Sequence, residues 1–217
     1  NFPTSGPVVS SPAVASKRVF CGSQDGKLYA INETTGSQLW YYQTGAAILS
    51  TPAVADGRVF FGSKNNRLYA FSESGTPLWD WPTSGPVVSS PAVDSNKALV
   101  IAGSTDGSIH AINEITGLPV WSFVIGDSIN MSSPAISGNG LVYVGTTDGI
   151  MHCLNETNGD EIWIHFIGGT IDSSPSISDD HVFIGSSNGN MYCFGPGFPI
   201  HDIAVTGLTA SPTTIFA

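Results

Sequence analysis

Along this chain, short apolar runs alternate with polar positions, and Gly, Asn, Asp and Pro break the runs at close intervals. Four kinds of run recur, illustrated by "ILSTPAV" (48–54), "RVFFGS" (58–63), "KLYAI" (27–31) and "QLWYYQT" (38–44). Their length, their β-branched and aromatic content and their period of two predict strands, and no stretch carries the 3.6-residue period of a helix. Because the four kinds come in a constant order, the unit to be read is the repeat rather than the single strand.

Three markers define that repeat. The Pro of an S-[ST]-P-[AS]-[VI] element stands at Pro12, Pro52, Pro91, Pro134 and Pro175, with spacings of 40, 39, 43 and 41. A G-[ST] pair closes the second run at Gly22, Gly62, Gly103, Gly145 and Gly185, and the fourth run carries Trp40, Trp79, Trp121 and Trp163. The segment PTSGPVVSSPAV even occurs twice without change, at 3–14 and 82–93. Between the second and third runs stand Asp25-Gly26, Asn65-Asn66, Asp106-Gly107, Asp148-Gly149 and Asn188-Gly189. Such pairs predict type I′ hairpin turns. Four short antiparallel strands repeated about every 41 residues predict an all-β β-propeller of about five four-stranded blades. The small residues of the first strand place it innermost, where space narrows, and the Trp strand outermost.

The chain ends refine the expectation. Phe2-Pro3-Thr4-Ser5-Gly6 aligns with Trp81-Pro82-Thr83-Ser84-Gly85, so Asn1-Phe2 reads as the tail of a fourth strand whose Trp would stand just ahead of Asn1. The fifth unit has three strands, ending at Phe194. One reading is that the N-terminal strand completes the last blade and closes the ring, since an open edge would invite pairing with another chain. The other is that further blades precede Asn1. Residues 1–198 are then the propeller, and 199–217 a linker or the start of a following β-sandwich.

Composition removes several functions. A net charge of -10 with only seven Lys and Arg leaves nothing to neutralise phosphates, which argues against nucleic-acid binding. No apolar run approaches the roughly 20 residues of a membrane span. No leader pattern opens the chain, which reads as a mature or excised segment. Cys21, Cys153 and Cys193 form no CxxC pair and take slots filled elsewhere by Phe61, Ala30 and Ala70, so they read as core fillers.

Ala30 to Trp40, "AINETTGSQLW", resembles the tryptophan-docking motif A-x-[DN]-x-x-T-G-x-x-x-W of the pyrroloquinoline-quinone-type (PQQ-like) propeller repeat. Ala111 to Trp121 fits it equally, Cys153 to Trp163 fits with Asn158 in the Thr slot, and the stretch ending at Trp79 is one residue short. The resemblance covers about residues 3 to 194. It implies a blade-docking role for Trp40, Trp79, Trp121 and Trp163 and for the turn glycines Gly36, Gly75, Gly117 and Gly159. The family holds both quinoprotein dehydrogenases and non-catalytic propellers, among them outer-membrane-assembly lipoproteins and surface proteins. The enzymes have eight blades, bound Ca²⁺, a catalytic Asp and often an adjacent Cys pair. Five units without Cys-Cys point to the non-catalytic branch, with no cofactor, no metal and no catalytic residue. The residues after Pro199 resemble the opening of a CARDB-type adhesion sandwich.

Of the remaining polar residues, His110 and His152 take the slot of Tyr29 and Tyr69 on separate blades, too far apart to share a Zn²⁺. His165 takes an aromatic slot, and the turn Asp residues form no calcium loop. Counted back from the Pro marker, Asn130 falls in the slot of Val8, Ile48, Val87 and Ile171, and Asp172 in that of Val9, Leu49 and Val88. Polarity at these inner-strand entrances suggests a ligand-facing mouth. Asn32, Asn130 and Asn155 head N-glycosylation sequons. Together these features predict a secreted, periplasmic or cell-surface module that binds a protein partner, or other domains of its own parent chain. The rival readings are a quinoprotein dehydrogenase fragment and a glycan-binding propeller, which would need exposed aromatics at one loop position in every blade.

Overall fold

The structure, a computed structural model, describes residues 1–179, 181–195 and the backbone of Ile203–Ala204. Five antiparallel sheets follow one another along the chain. Blade 1 holds β1 (Ala13–Ala15), β2 (Arg18–Gly22), β3 (Lys27–Asn32) and β4 (Gln38–Gln43). Blade 2 holds β5 (Ala53–Ala55), β6 (Arg58–Ser63), β7 (Arg67–Ser72) and β8 (Pro77–Pro82). Blade 3 holds β9 (Ala92–Asp94), β10 (Leu99–Gly103), β11 (Ser108–Asn113) and β12 (Pro119–Val124). Blade 4 holds β13 (Ala135–Ile136), β14 (Leu141–Gly145), β15 (Ile150–Asn155) and β16 (Glu161–Phe166). Blade 5 holds β17 (Ser176–Ser178), β18 (His181–Gly185), β19 (Met191–Phe194) and β20 (Ile203–Ala204). In every sheet the strands pair in chain order, as in the blade of a β-propeller.

The two middle strands of blades 2 to 4 are the most apolar, and they are buried because a neighbouring blade covers each face, whereas those of blade 5 are partly exposed. Phe20 and Leu28 of blade 1 meet Val59, Phe61 and Phe71 of blade 2 in one cluster. Ile101, Ile109 and Trp121 of blade 3 meet Val142, Val144 and Leu154 of blade 4 in another. The outer strands show the alternation expected of edges, with one face turned to the next blade and the other to solvent. In blades 1 to 4 a register shift recurs at one slot of the third strand, at Ala30/Ile31, Ala70/Phe71, Ala111/Ile112 and Cys153/Leu154. It lies just before the turn that leads to the Trp strand.

Two expectations need correction. The paired turn residues between second and third strands do not form type I′ turns, because only the second of each pair has positive φ (Gly26, Asn66, Gly107, Gly149, Gly189). Gly26 N–H donates to Ser23 O while Ser23 N–H donates to Lys27 O, the arrangement of a type I turn followed by a bulge residue. Two consecutive positive-φ residues instead occupy the first hairpin of blades 1 and 2, at Ser16-Lys17 and Asp56-Gly57. There Ala15 faces Arg18, and Ala55 faces Arg58, across a true two-residue turn.

The N-terminal strand does not complete the last blade. Ile203–Ala204 take the fourth place beside β19. Phe2 lies against Tyr29 of blade 1, ring centroids 5.3 Å apart, and Ser5 N–H donates to Asp25. Apart from those two paired residues, the segment assigned to a linker or sandwich, 199–217, lies outside the described residues.

Candidate functional site

The axis of the propeller is built from the S-[ST]-P element, and its two hydroxyls have different tasks. The first Ser, buried in blades 1 to 4, clamps its own blade. Ser89 Oγ accepts from Gly103 N–H at 3.0 Å and donates to Gly103 O at 2.8 Å, and Ser10 and Ser50 do the same with Gly22 and Gly62. The second hydroxyl joins blades. Ser11 N–H donates to Thr51 Oγ1, Thr51 N–H to Ser90 Oγ, Ser90 N–H to Ser133 Oγ and Ser133 N–H to Ser174 Oγ, all within 3.2 Å. A belt of hydroxyls thus runs around the axis from blade 1 to blade 5.

Above the belt opens a cavity of about 480 Å³, whose apolar collar is Val9, Leu49, Val88 and Met131, with Asn130 beside them. Val9 is 58% exposed and Met131 62%, so the collar faces solvent. The lining carries no titratable side chain. It can hold a ligand by shape, apolar contact and neutral hydrogen bonds, and its lining offers no acid or base to activate the hydroxyls of the belt.

At the rim, Trp40, Trp79 and Trp121 each dock onto the turn of the following blade. Trp40 Nε1 donates to Glu73 O at 3.0 Å, Trp79 Nε1 to Glu114 O at 2.9 Å and Trp121 Nε1 to Glu156 O at 2.7 Å. The turn glycine is needed because the ring lies on it: a Cβ at Gly75, Gly117 or Gly159 would stand 2.8, 2.5 or 2.6 Å from the indole. Trp163 reaches Phe194 of blade 5, centroids 5.5 Å apart. The turns are held by their Asn, as where Asn32 Oδ1 accepts from the N–H groups of Thr34 and Thr35.

The same turns hold a second lock that the sequence pattern left unread. Arg18 faces Glu73 at 3.7 Å, Arg58 faces Glu114 at 3.8 Å, and Lys97 pairs with Glu156, so each seam from blade 1 to blade 4 carries one cation and one carboxylate. Glu114 and Glu156 are buried, and one oxygen of each lacks a partner. Burial raises both carboxyl pKa values, and the neighbouring Asp56 and Asp94 push the same way against Arg58 and Lys97. The signal was available as a recurring Glu after the Asn or Ser of the turn (Glu33, Glu73, Glu114, Glu156), matched by a basic residue near the second strand.

Of the two residues proposed to face a ligand, Asn130 lines the cavity and Asp172 is exposed at the next blade's entrance, outside the lining. Asn130 does not share the slot of Ile48, Val87 and Ile171, which Ile129 takes instead. Ile129, with Ile48, Val87 and Ile171, is the side chain that packs on the Gly of the preceding blade, and an extra residue in blade 4 pushes Asn130 outward to the exposed collar. Asn32 and Asn155 are half-buried in their docking turns.

The other candidates sit in structural surroundings. His110 Nδ1 bonds Ser122 Oγ and His152 Nδ1 bonds Glu161, and burial lowers the His110 pKa. Cys153 is fully buried, its thiol pushed up to about 12, and burial raises that of Cys21 as well. Neither supplies a thiolate near neutral pH. Among the described residues no three of His, Cys, Asp and Glu gather as metal ligands would, and no helix is long and apolar enough to cross a membrane. Among the described residues the exposed aromatics Tyr41, Phe166 and Phe183 lie at different slots, two on outer strands and one on β18, unlike the repeated loop set a glycan-binding ring would need.

The profile of the family described as outer membrane protein assembly factor BamB matches residues 1–52 and 45–196. The chain belongs to this family. No curated protein matches it by sequence. Among solved structures, BamB from Moraxella catarrhalis superposes with a TM-score of 0.76 at 18% identity, over 89% of this chain and 60% of that one. The computationally designed Ika8 protein gives a TM-score of 0.76 at 19% identity, over 85% and 57%. At such identities the likeness concerns the fold. The chain spans about three fifths of the length of these structures. Membership of the BamB family explains the docking motif and places the chain in the PQQ-like propeller class that its repeat resembles.

Proposed function

We propose that the chain is a non-enzymatic interaction scaffold of the cell envelope, a stiff module of a periplasmic, secreted or cell-surface protein that holds a protein partner at its axial mouth. The observation that carries this reading is the makeup of that mouth. Four apolar side chains, Val9 and Met131 exposed and Leu49 and Val88 half-buried, stand around a hydroxyl belt, with Asn130 beside them and no titratable group in the lining. Exposed apolar side chains grouped at a rigid concave site are a common form of protein-binding surface. Met131 adds an adaptable contact, because its unbranched thioether repacks easily. The BamB family, described as an assembly factor for outer membrane proteins, supports both the envelope location and a protein partner. Asp172 beside the mouth, and the net charge of -10, favour a partner that is neutral or basic at the point of contact.

A photo-crosslinking residue at position 131 tests the reading in extracts of the source cells. A discrete adduct that also forms from position 9, but not from exposed Leu78 on the rim, is the expected result, and Val88→Asp weakens it at least tenfold. Equal labelling from all three positions would set the mouth aside.

A further inference from the structure

The first hairpin of blade 3 departs from the repeat. Asp94 takes the slot of Ala15 and Ala55, and Leu99 takes that of Arg18 and Arg58, so the cation of this seam has moved off the strand onto the loop as Lys97. The loop is also longer. Residues 95–98 lie between Asp94 and Leu99, and residues 138–140 between Ser137 and Leu141 of blade 4, where blades 1 and 2 turn in two residues. Between these two loops opens a cleft of about 480 Å³ whose lining includes Asp94, Lys97, Ser137 and Glu156. It contains a buried acceptor without a donor. The Glu156 side chain is 1% exposed, its Oε2 pairs with Lys97, and its Oε1 has no partner. The Asp94 carboxyl lies within hydrogen-bonding reach of it, but two carboxylates offer each other no donor. A buried acceptor left unpaired is costly, so the group that complements this cleft is a cationic donor.

We propose that the cleft between blades 3 and 4 receives the guanidinium of an arginine side chain from a partner peptide, which bridges Glu156 and Asp94. The two preceding seams show the chemistry, because there a guanidinium faces the Glu of the docking turn, Arg18 to Glu73 and Arg58 to Glu114. Here Leu99 has taken the place of that Arg, and Lys97, its side chain 40% exposed, stands in with a single point charge. A guanidinium is a planar fork of N–H donors and can serve both carboxylates at once. Asp94 and Glu156 set against Lys97 leave one negative charge, which one guanidinium neutralises. A bare Ca²⁺ suits the cleft less well: it asks for about six to eight oxygen ligands, and the Lys97 ammonium already sits on one of the two carboxylates. The mouth stands just ahead of the first strand of each blade and these loops follow it, so the two sites lie at opposite ends of the strands. The inference does not rest on the proposed function, and either can fail without the other.

The probe is the peptide acetyl-Gly-Arg-Gly-amide, titrated into the protein while its backbone amide resonances are followed. The shifts should saturate and centre on residues 94–98, 137–140 and 156, and the corresponding Lys peptide should bind about threefold more weakly. Asp94→Asn keeps the Oδ1 acceptor that holds the Asn96 N–H at 2.9 Å, so the loop stays folded while the charge is lost. It should weaken binding about tenfold, and so should Glu156→Gln. Glu33→Gln removes the same charge from an exposed turn and should leave binding unchanged. Lys97→Ala takes away the internal competitor and should tighten it. Shifts spread over the whole acidic surface, equal weakening by Glu33→Gln, unchanged binding in Asp94→Asn, weaker binding in Lys97→Ala, or shifts produced by Ca²⁺ and not by the peptide would each overturn the proposal.

Discussion

The two ends of each inter-blade seam are held by opposite chemistry. At the axis, strands approach so closely that only hydroxyl-sized groups fit, and neutral hydrogen bonds join one blade to the next. At the rim the blades diverge, and the gap takes a whole indole plus an ion pair that is partly or wholly buried. The same pair of sheets is thus pinned where it is narrow and wedged where it is wide. Removing a wedge opens a cavity, whereas removing a pin strands a backbone group. The two ends should therefore fail by different amounts and respond differently to pH.

The largest effect is expected at the rim. Trp79→Ala should destabilise by about 3 kcal/mol, because the ring's contacts and the bond to Glu114 O disappear together, and chemical denaturation would measure it. At the axis, Ser90→Ala leaves Thr51 N–H without its acceptor across the seam and should lower stability by about 1 kcal/mol. Rim effects that turned out no larger than axial ones would remove the distinction between wedge and pin.

The carboxylates sharpen it further. Glu114 and Glu156 have raised pKa values in the fold, so their stabilising contribution is full below the ordinary 4.5 and is lost as pH rises through the folded values. Asp25 behaves oppositely: against burial, which works the other way, hydrogen bonds from the Tyr29 hydroxyl and the Lys27 and Ser5 N–H groups lower its pKa. Its contribution is present above 3.8 and is lost as pH falls through the lowered value. Melting temperature against pH should peak on the mildly acidic side, and Glu114→Gln should flatten the decline above the peak. A decline of unchanged slope in Glu114→Gln would assign it to other groups. The smallest effect lies away from the seams, at the strained turn: Lys17→Gly, at φ +61°, should stabilise by about 0.5 kcal/mol, read from the shift in denaturation midpoint.

Local pattern carried the repeat, the strand order and the outward or inward sense of each side chain. A two-residue alternation, broken by turn residues at even intervals, has few solutions other than four-stranded blades, and the Trp and Gly of the docking turn announce a close contact by their size alone. Its reach ended where a contact joins distant residues. Trp40 meets Glu73 33 residues on, and Trp79 and Trp121 meet carbonyls 35 residues on, so the Glu of each turn looked like any exposed acid. The one-residue insertion that gives Ile129 rather than Asn130 the buried slot was equally hidden, because spacing counted from a Pro cannot tell which side chain meets the next blade's glycine. Turn type was misplaced for a related reason: Asp-Gly permits positive φ at both residues, and the bond from Ser23 N–H to Lys27 O selects the longer loop. Periodicity is a property of the backbone and can be read from one strand. Which faces are covered and which charges are buried depend on neighbours that only the assembled sheets bring together.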